Sequence, residues 1–591
     1  MRSNVDRFSW LLVAVTLAVL LIQPNFAMAA GNPLCPGEDV FFNPGNGEDI
    51  VVPHGYKVSV FKSGLNFPSA IAFRGNSRRF EVFVLESGHG LPSRCNDETS
   101  AVVGGEFSAT NPFTPDIAVF DESGHRLRTL AKPTASGGGL LPHGPAVDIA
   151  FEKGFRGGRL FATDSNQAIR SQVPGVQNNS SRIVVVDAEN GKVTPFITRL
   201  PTGDHPAEQI TFKDNWIYWS QGSTTNSGVV GRDNGGGANQ PDIPCQDVVL
   251  SDNLFDSGGG VKTSGYSPFG VDNRGKTIKA FTGAAHNGVC DGAVLRARLD
   301  ARHPENTIEP FSWGYRNPYG IRFAPHDHAL KGGLLVTENG EDERGARPVN
   351  NAPDRLHLAQ QNRNGTPDFH GWPDRFGFLD STQSVFNPVG GPGDDNPGAA
   401  VGNPVQPVFA FPPQSITAPL ALEPANVAIV GLDFVPDSFV HGPVKRGAAL
   451  AGREGDFGFS KANGTPEEGH DVQLINFSKP GEPLKLTLER FAFNKTFEQA
   501  FVGRIRGINR PVDLKFGPDD CAYLVDYGAV RDFGQSDPDS RFCPPKLLDG
   551  TPNPAFPGCL TDGTAPLVQI PGTGVIWKIC GPVGAKKEHD D

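Results

Sequence analysis

Three short tracts of the chain put reactive side chains directly ahead of an apolar strand. Asp204 and His205 lead into PAEQITF, Arg316 and Asn317 lead into PYGIRF, and Asn509 and Arg510 lead into PVDLKF. The residue before a proline is biased toward extended backbone, so Asn317 cannot continue a helix, and the Arg316–Asn317 pair reads as a turn feeding a strand. An imidazole moves a proton near neutral pH. Guanidinium groups grip carboxylates in fork geometry and stabilise negative charge developing on oxygen. If the three lead-ins crowd one place, a general base and two cations surround a single pocket.

A repeat supplies the elements that must position them. Residues 67–88, 144–166, 205–223, 317–340, 429–455 and 510–528 share a lead-in, an Ile/Leu-x-Phe triplet, a short turn and a second apolar strand. The anchoring residues are Phe73, Phe151, Phe212, Phe323, Phe434 and Phe516. Residues two apart in a strand share a face, so each triplet buries two large side chains together. The turns carry Gly, Asp, Asn or Pro and return the chain for an antiparallel partner. No such hairpin can bury its apolar face alone, and six arranged radially make an all-β, six-bladed β-propeller. The phenylalanines lie 61 to 111 residues apart, against roughly 40–50 for a minimal blade. The excess predicts long inter-strand loop insertions, with the Gly/Asn-rich tracts 222–240 and 389–405 as candidates. A sandwich or several unrelated β domains is the alternative architecture.

The rest of the chain bounds its address. Residues 8–22 are its long apolar run, flanked by Arg2 and Arg7 and followed by Ala27-Met28-Ala29, the pattern of a secretory signal. The reading is a signal at 1–29, an N-terminal extension at 30–49, a propeller at 50–580 and a charged tail at 581–591, secreted or periplasmic, with no stable membrane span after signal removal. Eight cysteines suit disulfides in an exported protein, and local pairs such as Cys245–Cys290 and Cys543–Cys559 are expected. No CxxCH haem site and no CxxC knuckle occurs. The net charge of −12 argues against a nucleic-acid partner.

The order of motifs resembles the glucose/sorbosone dehydrogenase family of soluble quinoproteins. TGDHPAEQITF comes first, then DGAVLRARLD at 291–300, YRNPYG at 315–320, VTENGE at 336–341, DRLHL at 354–358, GWP at 371–373, NRPVDLKFGPD at 509–519 and PGTGVIWKI. The resemblance covers about residues 50–580 and implies a six-bladed propeller using pyrroloquinoline quinone (PQQ) and Ca2+. Residue by residue, it implies that His205 is the catalytic base and that Arg316 and Asn317 touch the quinone and the reacting oxygen. Asn339 takes a cofactor-contacting position, Gly340 and Glu341 supply backbone carbonyls to calcium, and Arg453 and Arg510 bind the cofactor. Two departures stand out: the second clamp arginine falls on Val512, and QGSTTNSG at 221–228 lacks the Gly-Asp usual in the family.

The implied activity is oxidation of an aldose or related sugar or polyol by hydride transfer to PQQ, with electrons passed to an external quinone, cytochrome or dye. A calcium-dependent lactonase or esterase, or a non-catalytic propeller that binds carbohydrate or protein, are the alternatives. Several features read more plainly as structure. Trp313 and Trp372 read as packing residues, His326-x-His328 as a solvated loop, and GEDERGAR (340–347) as a solvated turn that begins in the proposed metal site. His286 is a rival imidazole to His205.

Overall fold

The computed structural model describes residues 41–88, 114–134, 137–142, 144–166, 180–231, 241–257, 260–280, 289–342, 345–361, 365–387, 403–456, 468–531 and 568–582. The signal segment, His286, Cys543 and Cys559 lie outside the described residues, as does most of the tract 389–405.

The protein is a six-bladed β-propeller. Its innermost strands are Pro68–Asn76, Ile149–Phe151, Ala207–Lys213, Ile321–Phe323, Ile429–Phe434 and Pro511–Phe516. Each holds one Ile/Leu-x-Phe triplet, and each predicted hairpin is the inner strand pair of one blade. Two more strands complete four of the sheets, and the third and fifth blades add a fifth short strand, Asp368–Phe369 and Ile50–Val51. The sixth blade takes its outermost strand, Lys57–Leu65, from the N-terminal side, where it pairs antiparallel with Gly574–Cys580 and closes the ring.

A blade is covered on both faces, so its strands read as nearly continuous apolar runs. Each junction between neighbouring blades has its own apolar slab. Phe83 and Val119 meet Ile149 and Val184 between the first and second blades, and Phe161 and Ile183 meet Trp219 and Leu295 between the second and third. Val294 meets Val336 at the next junction, Leu356 meets Leu432, Val472 meets Trp577, and Val82 meets Ile576. Tight burial of this kind, roughly 1.5–3 kcal/mol per large side chain, is what joins blades that share no hydrogen-bonded edge.

The hub is polar and pins the blades directly. Lys515 Nζ lies 2.6 Å from Asp148 Oδ1 and 3.3 Å from Asp513 Oδ2. Gln209 donates its side-chain amide to Asp513 Oδ1 at 2.8 Å, and the Ile71 and Ile210 amides donate to Asp513 and Asp148. Buried charges of this kind are tolerated because they are paired, and the partners supplied by other blades, Asp148 to Lys515 and Gln209 to Asp513, also fix the blades' relative placement.

The Cys245–Cys290 disulfide forms as expected. Cys521–Cys580, which ties the second and third strands of the last blade, was not anticipated. Two local readings are corrected. His328 is buried, its Nε2 is 2.7 Å from the Gly447 carbonyl, and it packs edge-on against Phe434 and Phe477. In the GEDERGAR tract Glu341 and Arg347 are buried, the latter paired with Asp374 at 2.8 Å. In both cases a partner distant in sequence converts a polar loop residue into an interior one. The stretch 222–231 is a loop, as expected, and is buried throughout. Trp313 and Trp372 are fully buried packing residues.

In the first blade, Glu86 sits directly across from Asp116 in strand register. Burial, together with the charge of Asp116, pushes the Glu86 carboxyl up from 4.5 to about 7. Arg126 at 4.0 Å and Lys132, 3.9 Å from Asp116, offset this only in part. The folded state keeps the Glu86 proton to about pH 7, whereas the unfolded chain releases it near 4.5. Stability from this pair is therefore present at acid pH and is lost as pH rises through that window, by ~3 kcal/mol at most. Glu86→Gln is expected to remove this component. Denaturant unfolding from pH 4.5 to 8 should show the variant's stability rising relative to the parent as pH increases, and parallel curves would contradict it.

Candidate active site

The lead-ins to the innermost strands gather at one end of the ring, and the third and fourth are laced together by backbone. The Asp204 and His205 amides donate to the carbonyls of Thr224 and Ser223, each at 3.0 Å. The Gly222 amide donates to Pro206 at 3.0 Å, and the Ser223 amide donates across to Arg316 O at 2.8 Å. Asp242 anchors this loop by accepting from the Thr224 and Thr225 amides and, at 2.5 Å, from the Thr225 hydroxyl. Burial pushes the Asp242 carboxyl up to about 6. The Ile243 amide donates to Asp291, next to Cys290, so the Cys245–Cys290 bridge braces the anchor.

His205, Arg316 and Asn317 are brought together. His205 Nδ1 lies 3.6 Å from Asp204 Oδ2, and Arg316 Nη2 lies 3.5 Å from the same oxygen. Arg316 is buried. Its Nη2 pairs with Asp342 Oδ2 at 2.6 Å, and its Nε donates to Asn226 Oδ1 at 2.9 Å. Asn317 donates its side-chain amide to Asn339 Oδ1 at 3.0 Å, and Asn339 donates in turn to the Ile429 carbonyl at 2.7 Å. Among the described residues no donor reaches the buried Asn317 Oδ1.

Gly222 makes the approach of His205 to Asn317 possible. A methyl group there would stand 2.2 Å from His205 Cβ and 3.2 Å from Asn317 Oδ1. His205 Cβ is close to its main chain and cannot swing aside. Gly222→Ala is therefore expected to displace the imidazole and, on the expectation that His205 is the base, to cost about 10²-fold in turnover. Steady-state kinetics of a folded variant with unchanged rates would refute the placement.

Asn339, Gly340 and Glu341 follow the second strand of the fourth blade, Leu334–Glu338. Their polar groups are tied down individually. Asp354, pushed up to about 7 by burial, accepts from the Gly340 amide at 2.7 Å and from the Ile429 amide at 3.0 Å. The Glu341 carboxylate is paired with Arg355 at 2.5 Å. Among the described residues no hydrogen bond reaches the carbonyl oxygens of Gly340 and Glu341. Behind them, burial works against ionisation of Glu338, but the Arg355 charge and the His357 ring overturn it and hold that carboxyl at about 2.

Arg453 and Arg510 stand at the same end, in the fifth and sixth blades. Arg453 is closed by carboxylates: Nε and Nη2 pair with Asp471 at 2.7 and 2.5 Å, and Nη1 meets Glu423 at 3.2 Å. Arg510 donates to the carbonyls of Gly455 and Asp456 at 2.8 and 3.0 Å. Val512, at the second clamp position, is buried among Ile71, Phe73 and Tyr523.

Three hub residues were not singled out in the sequence. Glu208, on the innermost third strand, is buried, and burial aided by the Glu454 charge drives its carboxyl well up. Tyr319 is likewise pushed up by burial and by Glu208. Glu454 is raised by burial against the Arg510 charge. The available signal was the pair Glu208-Gln209 inside an otherwise apolar innermost strand.

The fold and the site thus define a six-bladed propeller with a polar cluster at one end of its axis, built from a histidine, a buried arginine and asparagines. The chain is similar to the PQQ domain of a pyranose dehydrogenase from Coprinopsis cinerea, with 13% identity, 92% of this chain and 99% of that one covered, and a TM-score of 0.47. It is also similar to a calcium structure of a family AA12 carbohydrate-active enzyme from Trichoderma reesei (14% identity, 91% and 99% covered, TM-score 0.46). A third similar structure is the soluble aldose sugar dehydrogenase from Escherichia coli (12%, 89% and 99%, 0.43). No protein-family model and no curated protein matches the chain.

Proposed function

We propose that the protein is an oxidoreductase of CH–OH groups that oxidises an aldose or related sugar with PQQ and Ca2+. The observation that carries this reading is the meeting of His205 and Arg316 on one oxygen of Asp204, beside the buried Asn317 Oδ1. A base, a cation and an amide at one point suit removal of a hydroxyl proton while charge develops on the oxygen.

The residues fit the cofactor at its oxygen end. Arg316 and Asn317 present a guanidinium and an amide to a planar dione. Gly340 and Glu341 offer adjacent carbonyl oxygens suited to a hard cation. At the carboxylate end Arg510 is the group we assign, because its guanidinium is held by the neutral carbonyls of Gly455 and Asp456, whereas that of Arg453 is paired with the carboxylates of Asp471 and Glu423. PQQ, when bound, supplies the two-electron acceptor for the hydride from the substrate carbon.

The chain's own part follows from its geometry. Asp204 lies on the Nδ1 side of His205, so Nε2 is the nitrogen we assign to the substrate hydroxyl proton. Asp204 orients the ring and stabilises the imidazolium that forms. Arg316, held on three sides, stays in place as negative charge grows on the substrate oxygen, so little reorganisation is needed at the moment of reaction. An external quinone, cytochrome or dye would then be needed to take up the electrons.

Purified protein should be incubated with PQQ and Ca2+ and followed by cofactor absorbance while aldoses are added. Sugar-dependent bleaching supports the reading. Cleavage of lactones with Ca2+ alone would replace it with a hydrolase, and silence in both assays with a binding propeller.

A further inference from the structure

A set of polar contacts, most of them buried, runs from the back of Arg316 into the third and fourth blades, and the reaction proposed above uses none of it. Glu338 Oε1 accepts the Arg316 main-chain N–H at 2.7 Å and pairs with Arg355 Nη1 at 2.9 Å. Glu338 Oε2 lies 2.7 Å from His357 Nε2. His357 Nδ1 lies 3.1 Å from His370 Nδ1. His370 Nε2 is 3.3 Å from Asp368 Oδ2, and the Thr417 hydroxyl donates to Asp368 Oδ1 at 2.5 Å. The side chains of His357 and His370 are completely buried.

The chemistry of these contacts fixes their direction. A carboxylate paired with arginine only accepts, so His357 Nε2 must donate to Glu338. Burial lowers the His357 imidazole to about 4, so the ring is neutral and its Nδ1 is an acceptor. One proton must sit between two facing nitrogens, and it therefore belongs to His370 Nδ1, while His370 Nε2, facing the Asp368 carboxylate, must carry a proton as well. The protons of His370 Nδ1, His357 Nε2 and the Arg316 amide all point toward Glu338. The same imidazoles also hold the preceding residue: Tyr315 stacks on His370 at 4.6 Å and 21°, and meets the edge of His357 at 5.2 Å.

We propose that His370 is a positioning residue for Arg316, acting through His357 and Glu338 to grip the Arg316 main chain from behind the site. Arg316 delivers its guanidinium to Asp204 with its backbone held by Glu338, and that carboxylate is itself fixed by Arg355 on one oxygen and by His357 on the other. The arrangement sets the arginine's place without touching substrate. Its catalytic consequence rests on the role given to Arg316 above, whereas the grip itself does not.

His370→Phe keeps a ring over Tyr315 and removes the Nδ1 donor, while His370→Gln restores a side-chain N–H. In folded protein, hydrogen exchange of the Arg316 amide is expected to quicken by about tenfold or more in the phenylalanine variant. The glutamine variant should return it toward the parent rate, with amides of the other blades unchanged. With PQQ and sugar, kcat should fall about tenfold at constant KM, and adding the change to Arg316→Ala should cost nothing further, since contacting residues are not additive. An unchanged Arg316 amide, or uniform acceleration in every blade, overturns the proposal. If the parent turns over no sugar, the proposed activity fails while amide exchange still decides the grip. If the phenylalanine variant does not fold, nitrogen NMR of the parent decides: protons on His357 Nε2 and His370 Nδ1 support the grip, and the opposite tautomers refute it.

Discussion

Replacing Arg316 with alanine is expected to cut the proposed sugar oxidation by orders of magnitude and to destabilise the folded protein together. The side chain is the shared cation of Asp204 and Asp342 and also donates to Asn226, with almost none of it exposed. Removing one partner of a buried ion cluster leaves uncompensated charge, a loss of roughly 3–5 kcal/mol. The rate should fall by about 10²–10³-fold, the size seen when a preorganised stabiliser of oxygen charge is deleted. Arg316→Lys separates the two effects. It keeps the charge and should recover much of the stability, but it lacks the planar fork that reaches Asp204, Asp342 and Asn226 at once, so the rate stays low. Denaturant unfolding and kcat/KM on the same preparations check both halves.

His205→Ala should behave differently, losing rate while keeping the fold. Among the described residues the imidazole's ion-pair contact is Asp204 at 3.6 Å, whereas Arg316 is held at 2.6 and 2.9 Å by Asp342 and Asn226. A positioned general base contributes about 10²–10⁴-fold, so turnover should fall by that factor. Stability should move by less than about 1 kcal/mol, as for most substitutions that bury no new charge and break no buried pair. If His205→Ala instead unfolds the protein with the rate per folded molecule intact, the imidazole is structural and the base lies elsewhere.

The propeller was legible because its signal is repeated and local. Each Ile/Leu-x-Phe triplet declares an innermost strand through side-chain period alone, and the polar lead-ins before His205, Arg316 and Arg510 stand out against it. Cys245–Cys290 could be expected because both cysteines belong to one blade's insertion. What escaped depends on pairings between distant segments. Nothing near Asp342 or Asn226 marks them as partners of Arg316. GEDERGAR has the composition of a solvated turn, yet Glu341 meets Arg355 and Arg347 meets Asp374 inside the protein. Arg453 lines up with a cofactor-binding residue by order along the chain, but that order does not reveal Asp471 and Glu423 closing around it. The His357–His370 contact joins residues from two motifs whose proximity only the folded blades create.

The central claim is that His205 takes the hydroxyl proton while hydride leaves the neighbouring carbon beside Arg316. It is tested most directly by single-turnover absorbance of protein reconstituted with PQQ and Ca2+, using an aldose with protium or deuterium at C1. The account predicts bleaching that slows several-fold with deuterium and that nearly disappears in His205→Gln at every pH. Bleaching of equal rate with either isotope, or undiminished in His205→Gln, would contradict it.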